Sequence, residues 1–320
     1  MRLFSLLVFV VLQIVLLPFA VLGTVVVAYK QIFASKRLGV SQTGIEILNG
    51  RWTMHIFGMR NDRPTAQLAA ALPNTSTVGL WLVLFPLWVK HKLSGTYFVY
   101  PRVAQEGAED LRDLVTARTL YFDRIIQRVV GDMDQFVLLG AGYDTRAYGA
   151  LRRDGLVFFE LDQVNTQALK IASLQDARID TNHVSFVTVD FEKEAAFEKL
   201  EAAGYDPSKK TLFLWEGVTL YLAEEDVRSM LRDIREYAGP GSVVVADIYG
   251  ERMLQRVSPR ARKVLEYTSE TLGFALPFAT DAAQILRGFL ESEGMTQGES
   301  YFMGEADEKG PFMVVVEFGV

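Results

Sequence analysis

The hydrophobic pattern divides the chain into three regimes. From Leu3 to Tyr29 no residue is charged. As one helix this run would extend about 40 Å, against a hydrocarbon core of ~30 Å. A cleaved leader would have a shorter apolar core behind a more basic start, with small residues at a cut site. Here only Arg2 precedes the run and no clean cleavage pattern follows. The pattern therefore predicts a retained transmembrane anchor over residues 1–30, kinked at Pro18. Lys30, Lys36, Arg37 and Arg51 follow it, and this positive-inside bias predicts that the bulk of the chain lies on the cytoplasmic side. A second apolar stretch, Val78–Val89, is too short to span. Trp81 and Trp88 share one helical face, which suits either contact with the headgroup zone or a buried helix of a cap. Residues 31–104 are read as a membrane-proximal helical cap containing this segment.

From about Gln105 the pattern alternates. Glu109–Val130 has helical spacing, and short apolar strands recur at Phe136–Leu139, Val157–Leu161, Val184–Val189, Thr211–Trp215 and Val243–Ala246. Helical stretches such as Asn165–Gln175 and Glu224–Tyr237 separate them. The order predicts an α/β fold with a doubly wound parallel sheet over residues 105–320. The end differs: "GESYFMGE" and "PFMVVVEFGV" have no helix between them, so an antiparallel hairpin closes the sheet. Gly250–Phe278 interrupts the strand–helix alternation and is expected to roof a pocket together with the residues before Gln105.

Composition removes several chemistries. A net charge of −6 argues against a nucleic-acid partner. The chain has no cysteine, hence no thiol nucleophile or thiolate metal site. His55, His91 and His183 are scattered, so no metal site is expected.

In a doubly wound sheet, ligands lie beyond the carboxyl ends of the strands. The first strand ends in "LGAGYDTRAY", a turn through Gly140, Ala141 and Gly142 that is expected to lead into a helix. A dinucleotide fingerprint would place a third glycine near Thr145. Asp144 stands where a pyrophosphate would sit, which suits a ligand with a positive group and no phosphate. The second strand ends at Asp162, about 20 residues after the glycine turn, where a carboxylate can accept both ribose hydroxyls. The third ends at Asp190–Phe191, a carboxylate for an exocyclic amine beside a ring for a base. The fourth ends at Glu216–Gly217. Four successive strand ends thus carry groups suited to an adenosine.

These segments, with "ARTLYFD" upstream, closely resemble the leucine carboxyl methyltransferase family. The closest resemblance is to its bacterial S-adenosylmethionine-dependent O-methyltransferase branch, from about Asp62 to the C-terminus. The resemblance implies a class I methyltransferase, Rossmann-like fold and S-adenosyl-L-methionine as cofactor. It implies that Arg118 holds the methionine carboxylate, that Gly140–Gly142 faces the methionine chain and that Asp162 takes the ribose. Asp190 and Phe191 would address the adenine, and Glu216 the methionine amino group. Arg146 would brace the turn. The apolar start departs from the family's soluble members and points to a small amphiphilic or lipid-like acceptor at a membrane.

Methyl transfer needs mainly that the acceptor be held in line. Tyr221 and Tyr249 are the polar side chains expected to reach the acceptor. With no base placed by the pattern, a carboxylate or acidic hydroxyl acceptor is preferred. Arg252, Arg256, Arg260 and Arg262 lie in the expected roof, and none is assigned to the site. Two other readings stay open: a nicotinamide-dependent membrane oxidoreductase, and a nucleotide-binding protein without turnover.

Overall fold

The computed structural model describes residues 2–191, 193–268, 270–279, 281–305, 307 and 309–320. Met1, the first residue of the expected anchor, lies outside them. The apolar runs form β1 (Gln135–Leu139), β2 (Val157–Asp162), β3 (Val184–Thr188), β4 (Thr211–Trp215) and β5 (Val243–Tyr249). The two final strands are β6 (Thr296–Met303) and β7 (Met313–Gly319). The sheet order is β3-β2-β1-β4-β5-β7-β6. The first five strands pair in parallel, while β7 runs antiparallel to both β5 and β6. Because β1 and β4 are neighbours while the chain leaves β1 in the other direction, a crevice opens at their carboxyl ends. Alternate residues bury on opposite faces: Val137, Leu139, Phe213 and Trp215 in one core, Phe136, Leu138, Leu212 and Leu214 in the other. Covering both faces explains why these strands read as unbroken apolar runs.

The apolar N-terminus is two helices, α1 (Arg2–Val15) and α2 (Leu17–Tyr29), separated at Leu16 with Pro18 in the first turn of α2. Proline has no amide hydrogen to continue the ladder, so the break falls here. A short π-helical stretch and α3 (Ser35–Leu38) prolong α2. Among the described residues one helix, Leu17–Leu38, is long and apolar enough to cross a membrane by length and composition, and Leu3–Val15 is a shorter apolar helix before it. It is followed by α4 (Gln42–Ile56), α5 (Arg63–Ala71) and α6 (Thr77–Ser94).

The second apolar stretch is the centre of α6, which packs along α1 and α2. Gly23 and Gly79 make the approach possible, since a Cβ on Gly23 would lie 2.6 Å from the Gly79 carbonyl oxygen. Trp81 stands edge-on to Trp52 of α4, with ring centroids 5.6 Å apart, and touches Trp88 in the same way. Both belong to the cluster built on Ile45, Leu48 and Leu68. Their shared face packs partly buried against this cluster, as a cap helix would, and keeps the rest of its surface outside it.

The remaining helices are α7 (Leu114–Val129), α8 (Val164–Asp176), α9 (Ala196–Ala202), α10 (Glu224–Tyr237), α11 (Glu251–Arg256), α12 (Pro259–Tyr267) and α13 (Ala282–Ser292). One expected helix does not form. After the glycine turn the chain makes only a 3-10 turn at Arg146–Tyr148 before β2. Asp144 Oδ1 accepts the Arg146 amide at 2.7 Å, a local bond that competes with helical pairing. The N-terminal helices cover that connection instead: a Cβ at Gly44 would meet the Tyr143 ring at 3.3 Å. Thr65 Oγ1 also lies 2.6 Å from Thr145 Oγ1. Residues 42–71 are thereby built onto the sheet rather than standing apart from it.

Candidate active site

At the crevice a cavity of about 780 Å³ is walled by the carboxyl ends of β1, β2 and β4, by α4 and by α12. This lies within the roughly 300–1,000 Å³ typical of small-molecule sites. Gly140 has a φ of +71°, and a Cβ there would fall 2.5 Å from Val218 Cγ2. Only glycine fits that left-handed turn against the β4 loop. Asp162 follows: its Oδ2 accepts the Gly142 amide at 2.5 Å and its Oδ1 the Gln163 amide at 2.7 Å. Burial raises its pKa, and those two amides oppose the rise. Asp190 and Phe191 also line the cavity, with Asp190 Oδ2 2.7 Å from Lys193 Nζ.

Behind the turn lies a buried ionic cluster. Arg51 of α4 donates to Asp144 Oδ2 at 2.8 Å and to the Glu216 oxygens at 2.7 and 2.6 Å. Arg146 pairs with Asp144, with Glu216 Oε2 at 2.7 Å and with Asp123 Oδ1 at 2.9 Å. Arg118 donates to Asp247 Oδ2 at 3.1 Å and to the Tyr249 hydroxyl at 2.6 Å, and stands 3.4 Å from Glu216 Oε1. Burial alone would raise the Asp144 pKa, but Arg146 and Arg51 hold it well below the usual carboxylate range. Glu216 is lowered against burial by Arg51, Arg146 and Arg118. Burial pushes Asp247 up to about 6, with Arg118 opposing and Glu216 adding to the rise.

This cluster revises several expectations. The Asp144 carboxylate does not stand open to a ligand cation, because Arg51 and Arg146 occupy it. Glu216 is brought to the cavity with Gly217, yet its oxygens face arginines. Tyr249 lines the cavity, and its hydroxyl accepts from Arg118 and donates to Asp247 Oδ2 at 2.9 Å. Arg146 braces the turn through Asp123, Asp144 and Glu216. Arg118 lines the cavity and keeps a buried Nε with no hydrogen-bond partner among the described residues, as does Arg51.

The far end of the cavity is polar in a different way. The Tyr221 hydroxyl donates to Thr43 Oγ1 at 3.0 Å. Ser41 Oγ and Thr43 Oγ1 each donate to Glu270 Oε1 at 2.6 Å, and Thr268 Oγ1 donates to Glu270 Oε2 at 2.6 Å. Glu46 faces the same space. None of the histidines lines the cavity: His55 Nδ1 accepts the Asp62 amide at 3.1 Å, His183 Nε2 lies 2.8 Å from the Ala147 carbonyl, and His91 stacks on Tyr97. Arg252 and Arg256 pair with Asp307 outside it.

Arg51, Asp247, Glu46 and Glu270 are the residues the sequence pattern did not single out. Arg51 counted only as a charge beyond the apolar run. Asp247 left a usable sign, a carboxylate inside the apolar strand "VVVADIY".

The family model described as leucine carboxyl methyltransferase matches residues 68–235, just over half of the chain. The chain belongs to the leucine carboxyl methyltransferase family. A Mycolicibacterium smegmatis relative, named "Putative S-adenosyl-L-methionine-dependent methyltransferase", is 32% identical over 155 residues, covering 47% of this chain and 51% of its own. A Bacillus subtilis relative of the same description is 31% identical over 140 residues, 43% of this chain and 46% of its own. The matches thus span about half the length of these curated relatives. A solved structure of a DUF574 family protein from Streptomyces avermitilis shares the fold at a TM-score of 0.50, with 14% identity over 65% of this chain and 84% of that one. The strand order with its antiparallel β7 is the class I methyltransferase sheet. Glu46 and Arg51 precede the family match, and Asp247 and Glu270 follow it.

Proposed function

We propose that the chain is an S-adenosyl-L-methionine-dependent methyltransferase that methylates an oxygen of an amphiphilic acceptor at a membrane. One observation carries it: a single cavity joins the strand-end groups Gly140–Gly142, Asp162, Asp190 and Glu216 to an apolar wall, with Lys36 of the helix ending at Leu38 in the same lining.

The residues present fit the cofactor. The glycine turn leaves the backbone open, Asp162 can exchange its amide contact for ribose hydroxyls, and Phe191 offers a ring to a base. The unpaired Nε groups of Arg118 and Arg51 suit a carboxylate. When bound, the cofactor supplies an electrophilic methyl on a sulfonium. The protein's part is to bind, to orient and to exclude water. Val257, Val264, Leu265 and Leu272 give the acceptor end an apolar lining suited to a hydrocarbon chain. Lys36 of α3 lies over the Tyr267 ring of α12, 5.4 Å from its centroid, so the roof and the apolar helix meet at the cavity rim.

Calorimetry on the purified full-length protein tests the first half, with micromolar binding of S-adenosylhomocysteine expected. Heat from NAD and none from S-adenosylhomocysteine would revive the nicotinamide alternative. Transfer of labelled methyl to lipid extract in liposomes tests the second half; binding without transfer would leave a nucleotide-binding protein.

A further inference from the structure

The helix α4 crosses the cavity with one face turned inward, carrying Thr43, Glu46, Ile47 and Arg51. From Thr43 to Arg51 the helix rises about 12 Å, and Glu46 stands about 4.5 Å along that path. Each end is fixed. Arg51 is clamped on Asp144 and Glu216 behind the glycine turn, and Thr43 is bonded to Tyr221 and Glu270. Glu46 therefore sits between the cofactor groups and the acceptor end, where a transferred methyl has to pass.

The Glu46 side chain has no hydrogen bond or ion pair to any described residue. Its side chain is open to solvent yet enclosed by the fold, because what it meets is the cavity. Burial raises its pKa, Arg118 of α7 opposes the rise and Glu270 adds to it. Tyr221 and Tyr100 are the other titratable groups within its electrostatic reach. A carboxylate held in this way is a proton acceptor in waiting.

The charge around it also selects the acceptor. Six carboxylates line the cavity against three cationic side chains, and two of those cations, Arg51 and Arg118, are engaged by Asp144, Glu216 and Asp247. An anionic acceptor would enter beside Glu46 and Glu270, where like charge opposes it. Of the sequence-based preference for a carboxylate or acidic hydroxyl, this favours the hydroxyl.

We propose that Glu46 is the general base of the site and that the acceptor is a neutral hydroxyl, alcohol or phenol, on an apolar chain. The inference rests on the methyltransferase reading above. The hydroxyl proton passes to the Glu46 carboxylate, and the oxygen forms its bond to the methyl carbon. The carbon–sulfur bond breaks with its electron pair moving to sulfur, so the positive sulfonium ends as a neutral thioether.

The test uses full-length protein in nanodiscs with two matched probes, 4-dodecylphenol and 4-dodecylbenzoate, at pH 8. With S-adenosylhomocysteine saturating, the phenol should bind at least about ten-fold tighter than the benzoate. Glu46→Gln should narrow that ratio and leave S-adenosylhomocysteine binding unchanged. With labelled S-adenosylmethionine, transfer to the phenol should rise with pH along a limb above the ordinary glutamate range. Glu46→Gln should lose transfer, and Glu46→Asp should restore part of it. Equal or tighter binding of the benzoate, binding of neither probe, or full transfer by Glu46→Gln would overturn the proposal. Failure of the wild type to bind S-adenosylhomocysteine would instead bring down the underlying reading.

Discussion

The two ends of the cavity are built on different physical terms. At the glycine-turn end, buried carboxylates and guanidiniums meet in closed pairs, and every oxygen of Asp144 and Glu216 is used. At the Tyr221 end the polar groups are hydroxyls around Glu270, and the Glu46 side chain has no hydrogen bond or ion pair to any described residue. The first end has its charged groups committed to one another. The second keeps an uncommitted group facing open space. One helix, α4, serves both, with Arg51 in the first and Glu46 in the second.

The largest effect that would break this contrast comes from Arg51. Arg51→Met removes one partner from two buried carboxylates, and should cost about 3–5 kcal/mol of unfolding free energy. Chemical denaturation measures it; an unchanged midpoint would mean that the ionic end does not depend on α4. Next comes Asp162→Ala, which should leave the fold intact but weaken S-adenosylhomocysteine binding by about 1.5–3 kcal/mol, the worth of hydrogen bonds to a charged group. Calorimetry on the folded variant reads this, and wild-type affinity would remove Asp162 from the ribose role.

A smaller effect concerns Asp247, whose folded pKa of about 6 lies above the ordinary carboxylate value. A group raised on folding binds more protons in the native state. Its contribution is therefore fully present below the unfolded value and is lost as pH rises through about 6. Asp247→Asn retains an acceptor for the Gly217 amide and should flatten that part of the stability–pH curve. A curve identical to wild type between those limits would contradict the assignment. The smallest effect on the cofactor end should come from deleting Met1–Tyr29. Cofactor affinity should stay the same, since the groups lining the cavity begin at Lys36. Partition into liposomes should fall, and lost cofactor binding in a folded truncated protein would show that α1 and α2 support the site itself.

The sheet was legible because its strands are buried on both faces and bounded by polar turns; Thr211–Trp215 and Glu224–Tyr237 fall where the pattern puts them. The strand-end carboxylates were legible for the same reason, being the first polar residues after apolar runs. What they pair with was not. Arg51 reaches Asp144 across 93 positions of sequence, and no local pattern encodes that. The contacts of α4 and α5 with the turn after Gly142 are long-range in the same way, Gly44 against Tyr143 and Thr65 against Thr145.

The 3.4 Å approach of Arg118 to Glu216 is the longest ion pair in the cluster behind the turn. An amino-acid zwitterion entering there would exchange one protein pair for two, carboxylate on arginine and ammonium on glutamate. The number of opposite charges in contact rises while the total charge of the pocket stays fixed. Such an exchange is nearly indifferent to ionic strength, because no uncompensated charge crosses from water into the protein. Uptake of S-adenosylhomocysteine, whose amino-acid end carries its only charges, would then vary little between dilute buffer and concentrated salt.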